Sequence, residues 1–183
     1  EIIEQVLRLQ QLLPASERIS NIVVMGMGEP LANLSQLLVA LEAVTSSDGL
    51  GISTRRVTIS TVGLPEAIRQ LAQQDRHYQL AVSLHAPDDE LRNQLIPTNT
   101  KTGLEAILAA ADYFFESTGR RLTYEYVLLA DINDQPAHAH GLVSLLRSRR
   151  ALLNVIPYNP VMGLPYRTPS KRATSQFGAI LQD

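Results

Sequence analysis

A carboxylate, Glu29, stands near the end of Gly26-Met27-Gly28-Glu29-Pro30, and its setting points to ligand chemistry. Neither glycine has a Cβ, so the backbone beside Glu29 can approach a ligand closely. At the C-terminal end of a parallel strand, ringed by exposed carbonyl groups, a carboxylate suits an ammonium group and repels a phosphate. The run before it, Asn21–Met25, is short, apolar and rich in β-branched residues, and it reads as a strand buried on both faces. An ordinary strand-to-helix turn in which Glu29 caps the next helix explains the same residues equally well.

Four more apolar runs end in short polar residues beside Gly or Pro. They give Ser60-Thr61-Val62-Gly63, then Ser83-Leu84-His85-Ala86-Pro87, then Asp131, Asn133 and Asp134, and finally Ile156-Pro157-Tyr158-Asn159-Pro160. In parallel α/β folds ligands gather at strand C-termini, so the joint pattern favours one large polar ligand spanning the sheet. His85 could be a general base, a metal ligand or a histidine satisfied at a strand end. No acidic or histidine partner stands at ligand spacing, which argues against a metal. His138 and His140 are two apart on a helical pattern and so occupy different faces. Asp88-Asp89-Glu90 suits the start of a helix, where negative charge complements the dipole. Arg55–Arg56 and Arg120–Arg121 precede strands and belong to the opposite end. Arg92, Lys101, Arg167, Lys171 and Arg172 lie nearer the ligand end and are the better candidates for meeting a polyanion.

The elements that must position these residues alternate along the chain. Helices are expected at Ile2–Leu13, from Leu34 with Asn33 as N-cap, at Glu66–Gln74 behind Pro65, at Gly103–Thr118 with Gly119 as stop, at Pro136–Arg150 and at Ser170–Gln182. A short helical turn covers Pro87–Leu95. Strands are expected at Asn21–Met25, Arg56–Thr61, Gln79–His85, Leu122–Leu129 and Ala151–Tyr158. Roughly five strands and six helices in alternation give an α/β fold, a parallel sheet covered by helices, either open or part of a barrel. The series starts on a helix, so a strand beside Asn21–Met25 is expected to be missing. The apolar edge left there would favour self-association.

Composition narrows the function. The 183 residues suit one domain, 45% are hydrophobic and 19% charged, and the net charge of −2 speaks against a generally basic nucleic-acid binder. No apolar run is long enough for a membrane span, so no membrane partner and a cytoplasmic location are expected. The absence of cysteine removes thiolate metal sites and thiol nucleophiles.

The segments MGMGEPLAN, STVGLPEAIRQLA, LAVSLHAPDDELRNQLIP, TYEYVLLADIND and NVIPYNPVMGLPY resemble, in order, consecutive motifs of the dual-specificity RNA adenine-C2 methyltransferases. These are radical S-adenosylmethionine enzymes. The resemblance runs over residues 1–183 and implies a radical SAM core domain, a partial (β/α)6 TIM-like barrel lacking its first strand. It implies methyl transfer to C2 of adenine in 23S-type rRNA and in tRNA, through a methyl-cysteine intermediate, with S-adenosyl-L-methionine and a [4Fe-4S] cluster as cofactors. C8-specific resistance enzymes are close relatives and an alternative, as is a non-catalytic RNA-binding relative. Carried over by motif, Gly28 and Glu29 would hold the methionine ammonium, and Ser60, Ser83 and His85 the carboxylate and ribose. Leu84 would pack nearby and Asn159 would reach the cofactor, with Asn154 the less favoured asparagine.

The departures are equally plain. The family's three cluster cysteines, its methyl-bearing cysteine, its proposed glutamate base and its accessory RNA-binding domain have no counterpart here. No residue is therefore assigned as catalytic or as a metal ligand. The retained cofactor motifs beside wholly absent catalytic segments suggest truncation and a chain inactive by itself. A phosphate-binding TIM-type aldolase or isomerase is disfavoured, because no strand carries a Schiff-base lysine and no Gly-rich loop follows the last strands.

Overall fold

Five strands lie side by side in chain order, each parallel to the next, in a computed structural model whose described residues are 1–182. Parallel neighbours in unbroken order, joined by right-handed crossovers, put every connecting helix on the same face. That face is the core. The other face curls inward and stays open, as in part of a (β/α) barrel.

The elements run α1 (Ile2–Leu12), β1 (Ile22–Val24), α2 (Leu34–Thr45), β2 (Val57–Thr61), α3 (Pro65–Ala72), β3 (Gln79–Ser83) and α4 (Asp89–Leu95). They continue with α5 (Leu104–Thr118), β4 (Thr123–Leu128), α6 (Pro136–Leu146), β5 (Leu152–Pro157) and α7 (Lys171–Gln182). Strand alternation decides which side chains meet the helices. Val57, Ile59, Leu80, Val82, Tyr124, Tyr126 and Leu128 are buried against Leu37 and Leu41 of α2, Ile68 of α3, Ile107 and Phe114 of α5, Leu142 of α6 and Phe177 of α7. The opposite alternation, Val23, Thr58, Ala81, Thr123, Glu125, Leu152 and Asn154, lines a concavity of about 520 Å³.

Most expected boundaries hold to within one or two residues. Pro65 is the first residue of α3, Gly119 ends α5 in a left-handed turn, and the Ser170 hydroxyl caps α7 by accepting from Ala173 N at 3.1 Å. Four details differ. β1 is not buried on both faces: Val23 is 54% exposed, because its inner side faces the open concavity. α6 stops at Leu146, four residues early, and Asn33 makes no side-chain cap. β3 ends at Ser83 because His85 takes a positive φ of 60°, which no strand accommodates.

Arg92 is the largest correction. It does not face solvent to meet a polyanion; it is 1% exposed. Its Nε donates to Leu84 O at 3.0 Å, and its Nη2 to Val62 O at 2.6 Å and Ser83 O at 2.8 Å. Its Nη1 donates to Asn99 Oδ1. Burial lowers its pKa to about 10 against the pull of Asp89, so it stays charged at neutral pH.

Charge is sorted along the strand direction. Each connecting helix starts at the strand C-termini, and three of those first turns are acidic: Glu66 in α3, Asp89 and Glu90 in α4, Glu105 in α5. Arginines crowd the other end, where helices finish: Arg55, Arg56, Arg120, Arg121, Arg147, Arg149 and Arg150. Burial and the charge of Arg55 lower the Arg120 pKa, which makes these loops neighbours. Helix dipoles favour this arrangement without any ligand.

Two outcomes follow. Arg92→Met leaves four oxygens without their donor and should cost about 3–5 kcal/mol in urea-induced unfolding, with Arg92→Lys recovering only part. β1 has no strand on its outer side among the described residues. Sedimentation should therefore detect concentration-dependent association, abolished by a Val23→Lys change that charges this edge strand; a concentration-independent monomer refutes it.

Candidate functional site

The loop after β1 is shaped by two glycines that no other residue replaces without strain. Gly26 and Gly28 have φ of 127° and 100°, and a Cβ on either would meet nothing within 4 Å. The backbone is thus both bent and bare at the mouth of the concavity. Gly28 delivers Glu29 across to the end of β2. One oxygen of Glu29 accepts from Leu31 N at 2.9 Å and from Thr61 Oγ1 at 2.7 Å; the other accepts from Val62 N at 2.8 Å. Thr61 in turn accepts from Gly63 N at 3.0 Å. The carboxylate therefore caps the turn at Pro30–Asn33 and ties β1 to β2. An ionised carboxylate has about four acceptor positions, so one remains for a ligand donor.

Ser60 and Ser83 share the inward alternation of Thr58 and Ala81, and they stand near the C-terminal ends of β2 and β3. Leu84 does not join them. Its side chain is 0% exposed within the core, while its backbone serves Glu125 O and Arg92. His85, next along, is locked into one tautomer. Its Nδ1 accepts from Val127 N of β4 at 3.0 Å, so the neutral ring carries its hydrogen on Nε2. Burial, and then the charge of Arg92, lower its pKa to about 4. At neutral pH it is a hydrogen-bond donor and not a proton acceptor. Asn159 is exposed at the start of the loop after β5. Glu29, Ser60, Ser83 and His85 thus converge at one end of the sheet, with Asn159 beyond β4.

Three contributors were given no role in the site from the sequence, although Thr61 and Asn133 stood among its polar strand ends. Thr61, 2% exposed, holds Glu29. Asn133, fully buried, donates from Nδ2 to His85 O at 2.9 Å and to Val127 O at 2.8 Å, and accepts from Leu129 N at 2.6 Å, so it fixes the His85 backbone. Glu125 lies on the concave face in register with Ser83 and Asn154, and accepts from Asn154 Nδ2 at 2.8 Å. The alternation Thr123, Glu125, Val127 against buried Tyr124, Tyr126, Leu128 was the signal that could have exposed it. Among the described residues no cluster of three His, Asp, Glu or Cys could hold a metal.

Comparison with known proteins places this geometry. The model of the radical SAM superfamily matches residues 1–141. A probable dual-specificity RNA methyltransferase RlmN of Rhodopirellula baltica is 63% identical over all of this chain and 49% of its own length. The crystal structure of a radical SAM methyltransferase from Sphaerobacter thermophilus superposes with a TM-score of 0.91 at 37% identity, over 98% of this chain and 52% of that one. SuiB of Streptococcus suis, solved bound to S-adenosylmethionine, shares the fold at a TM-score of 0.66 and 20% identity, over 100% of this chain and 39% of that one. The chain spans about half the length of the curated relatives it matches.

His85 gives the site a pH signature. Its pKa is about 4 when folded and near 6.5 when unfolded, so the unfolded chain binds more protons between those values. Stability is then complete above pH 6.5 and falls as pH drops toward 4, by on the order of 3 kcal/mol. Urea titrations across that window should show the slope in the wild type. His85→Asn, which tolerates positive φ and does not titrate, should lack it.

Proposed function

The chain belongs to the radical SAM superfamily, and on that premise we propose that it is the S-adenosylmethionine-binding core of an RNA adenine-C2 methyltransferase acting on 23S-type rRNA and tRNA in the cytoplasm. The observation that carries this reading is the ring of complementary groups at the strand C-termini. Glu29 keeps one acceptor position for an ammonium. His85 Nε2–H offers a donor to a carboxylate or hydroxyl. Ser60 and Ser83 present hydroxyls on the concave face, and the bare backbone at Gly26 and Gly28 leaves room for the ligand to lie against it. These groups fit the zwitterionic end and the ribose of S-adenosylmethionine, which supplies the methyl group when bound. No helix among the described residues is long and apolar enough to cross a membrane.

The second cofactor of the superfamily, a [4Fe-4S] cluster, finds no such fit. Iron–sulfur clusters need thiolates, and this chain has no cysteine. No step through a cluster is therefore assigned to its residues. What they contribute is binding and orientation: Glu29 and His85 fix the two charged ends of the amino acid, and the closed layer of helices behind the sheet keeps water from the core.

Calorimetry tests this directly. The chain should bind S-adenosylmethionine at one site without transferring its methyl group to RNA. Glu29→Gln keeps a carbonyl oxygen for Leu31 N but removes the charge, and should weaken binding at least tenfold, about 1.4 kcal/mol. Unchanged affinity in a folded Glu29→Gln protein would remove Glu29 from the site.

A further inference from the structure

The acidic first turns of α3, α4 and α5 follow the helix dipole, and one helix start runs against it. In α3, α4 and α5 the first turn is acidic and α2 and α6 carry no acid there, whereas α7 opens on the two cations Lys171 and Arg172. Cations at a helix N-terminus oppose the dipole, so this pair is there at a cost to the helix and needs another reason. Both side chains are exposed and neither forms an ion pair among the described residues.

The loop before them, residues 158–170, is built and not slack. Thr168 Oγ1 donates to Tyr158 O at 2.7 Å, Val161 N donates to the Tyr158 hydroxyl at 3.2 Å, and Ala130 N donates to Arg167 O at 3.0 Å. Arg167 meets Asp131 at 2.6 Å, an exposed pair that a phosphate could displace. Tyr158 and Tyr166 stack edge-to-face with centroids 5.9 Å apart. From this pinned base Met162 projects fully exposed, with Leu164 at 52%. Asn159, a candidate of the proposed cofactor site, is the second residue of this loop.

A hydrogen-bonded platform of half-buried tyrosines and protruding apolar side chains, flanked by unpaired cations, fits a polymer of alternating flat rings and negative charges. We infer that the loop 158–170 and the first turn of α7 bind single-stranded RNA, the bases packing on the tyrosines and Met162 and the phosphates meeting Lys171, Arg172 and Arg167. This rests on the methyltransferase reading and adds a direction to it: RNA reaches the site across the β5 side, away from the acidic first turns of α3 to α5. The arginines at the opposite end of the strands do not contribute.

Fluorescence anisotropy with a labelled unstructured oligoribonucleotide tests the inference on the whole chain. Lys171→Gln/Arg172→Gln should weaken binding at least fivefold and flatten the slope of log affinity against log salt by about 1.4. Met162→Ala should weaken binding with the slope unchanged. Arg55→Gln/Arg56→Gln should leave both as in the wild type. The inference is overturned if the wild type binds no RNA, if the Arg55/Arg56 variant loses as much as the Lys171/Arg172 variant, or if the chain prefers anionic phosphatidylglycerol vesicles through the same loop. Cofactor calorimetry on the same wild-type sample is scored separately, so loss of this inference and loss of the cofactor reading are told apart.

Discussion

A guanidinium sealed inside a protein must have its donors taken, and the way Arg92 meets that requirement organises the ligand end of this molecule. The carbonyls it binds belong to Val62, Ser83 and Leu84, the residues at which β2 and β3 run out of strand partners. In most parallel sheets such carbonyls turn to water or to the next helix. Here one cation from α4 gathers them, and Asn99 completes the set while itself donating to Asp89 and Asn93 at 2.8 and 2.7 Å. Two adjacent strand ends, the short helix α4 and the turn at Pro97–Lys101 are therefore tied together. Ser83 and His85 inherit their positions from it, and the same charge contributes to keeping His85 neutral.

Glu29 has the corresponding role at the neighbouring strand end, between β1 and β2. Capping the turn does not use up its acceptor positions. Its bonds to Leu31, Thr61 and Val62 fix the carboxylate in place, and one acceptor position is left over. Preorganisation of this kind limits the entropy lost when a ligand arrives. The concave face beyond it, with Glu125 bonded to Asn154, continues the hydrogen-bonding surface inward from the rim.

The fold was legible in the sequence because its signals are local. The β-branched runs, Pro65 at a helix start, Gly119 at a helix stop and Ser170 as a cap each act within a few residues, and each stands where expected. The loop carrying Glu29 was legible for the same reason. What stayed hidden acts across distance in the chain. Thr61 meets Glu29 across 32 residues, Arg92 reaches Val62 across 30, and Asn133 supports His85 across 48. Arg92 looked like a solvent-facing cation because nothing in DDELRNQL announces that its partners are backbone carbonyls. Leu84 was carried over by motif from the family resemblance as a residue packing near the cofactor, and alternation turns its side chain into the core.

The bond from Val127 N to His85 Nδ1 carries one last implication, for selectivity. A ring held in that way can give a hydrogen bond and cannot take another. At its outer nitrogen it favours lone pairs over hydrogens, so a carboxylate is welcome where an amide nitrogen or an amine is not. Glu29, with only acceptors, has the reverse preference. In the proposed site, two fixed groups of opposite polarity would read a zwitterion in one orientation only and reject the same molecule turned end for end.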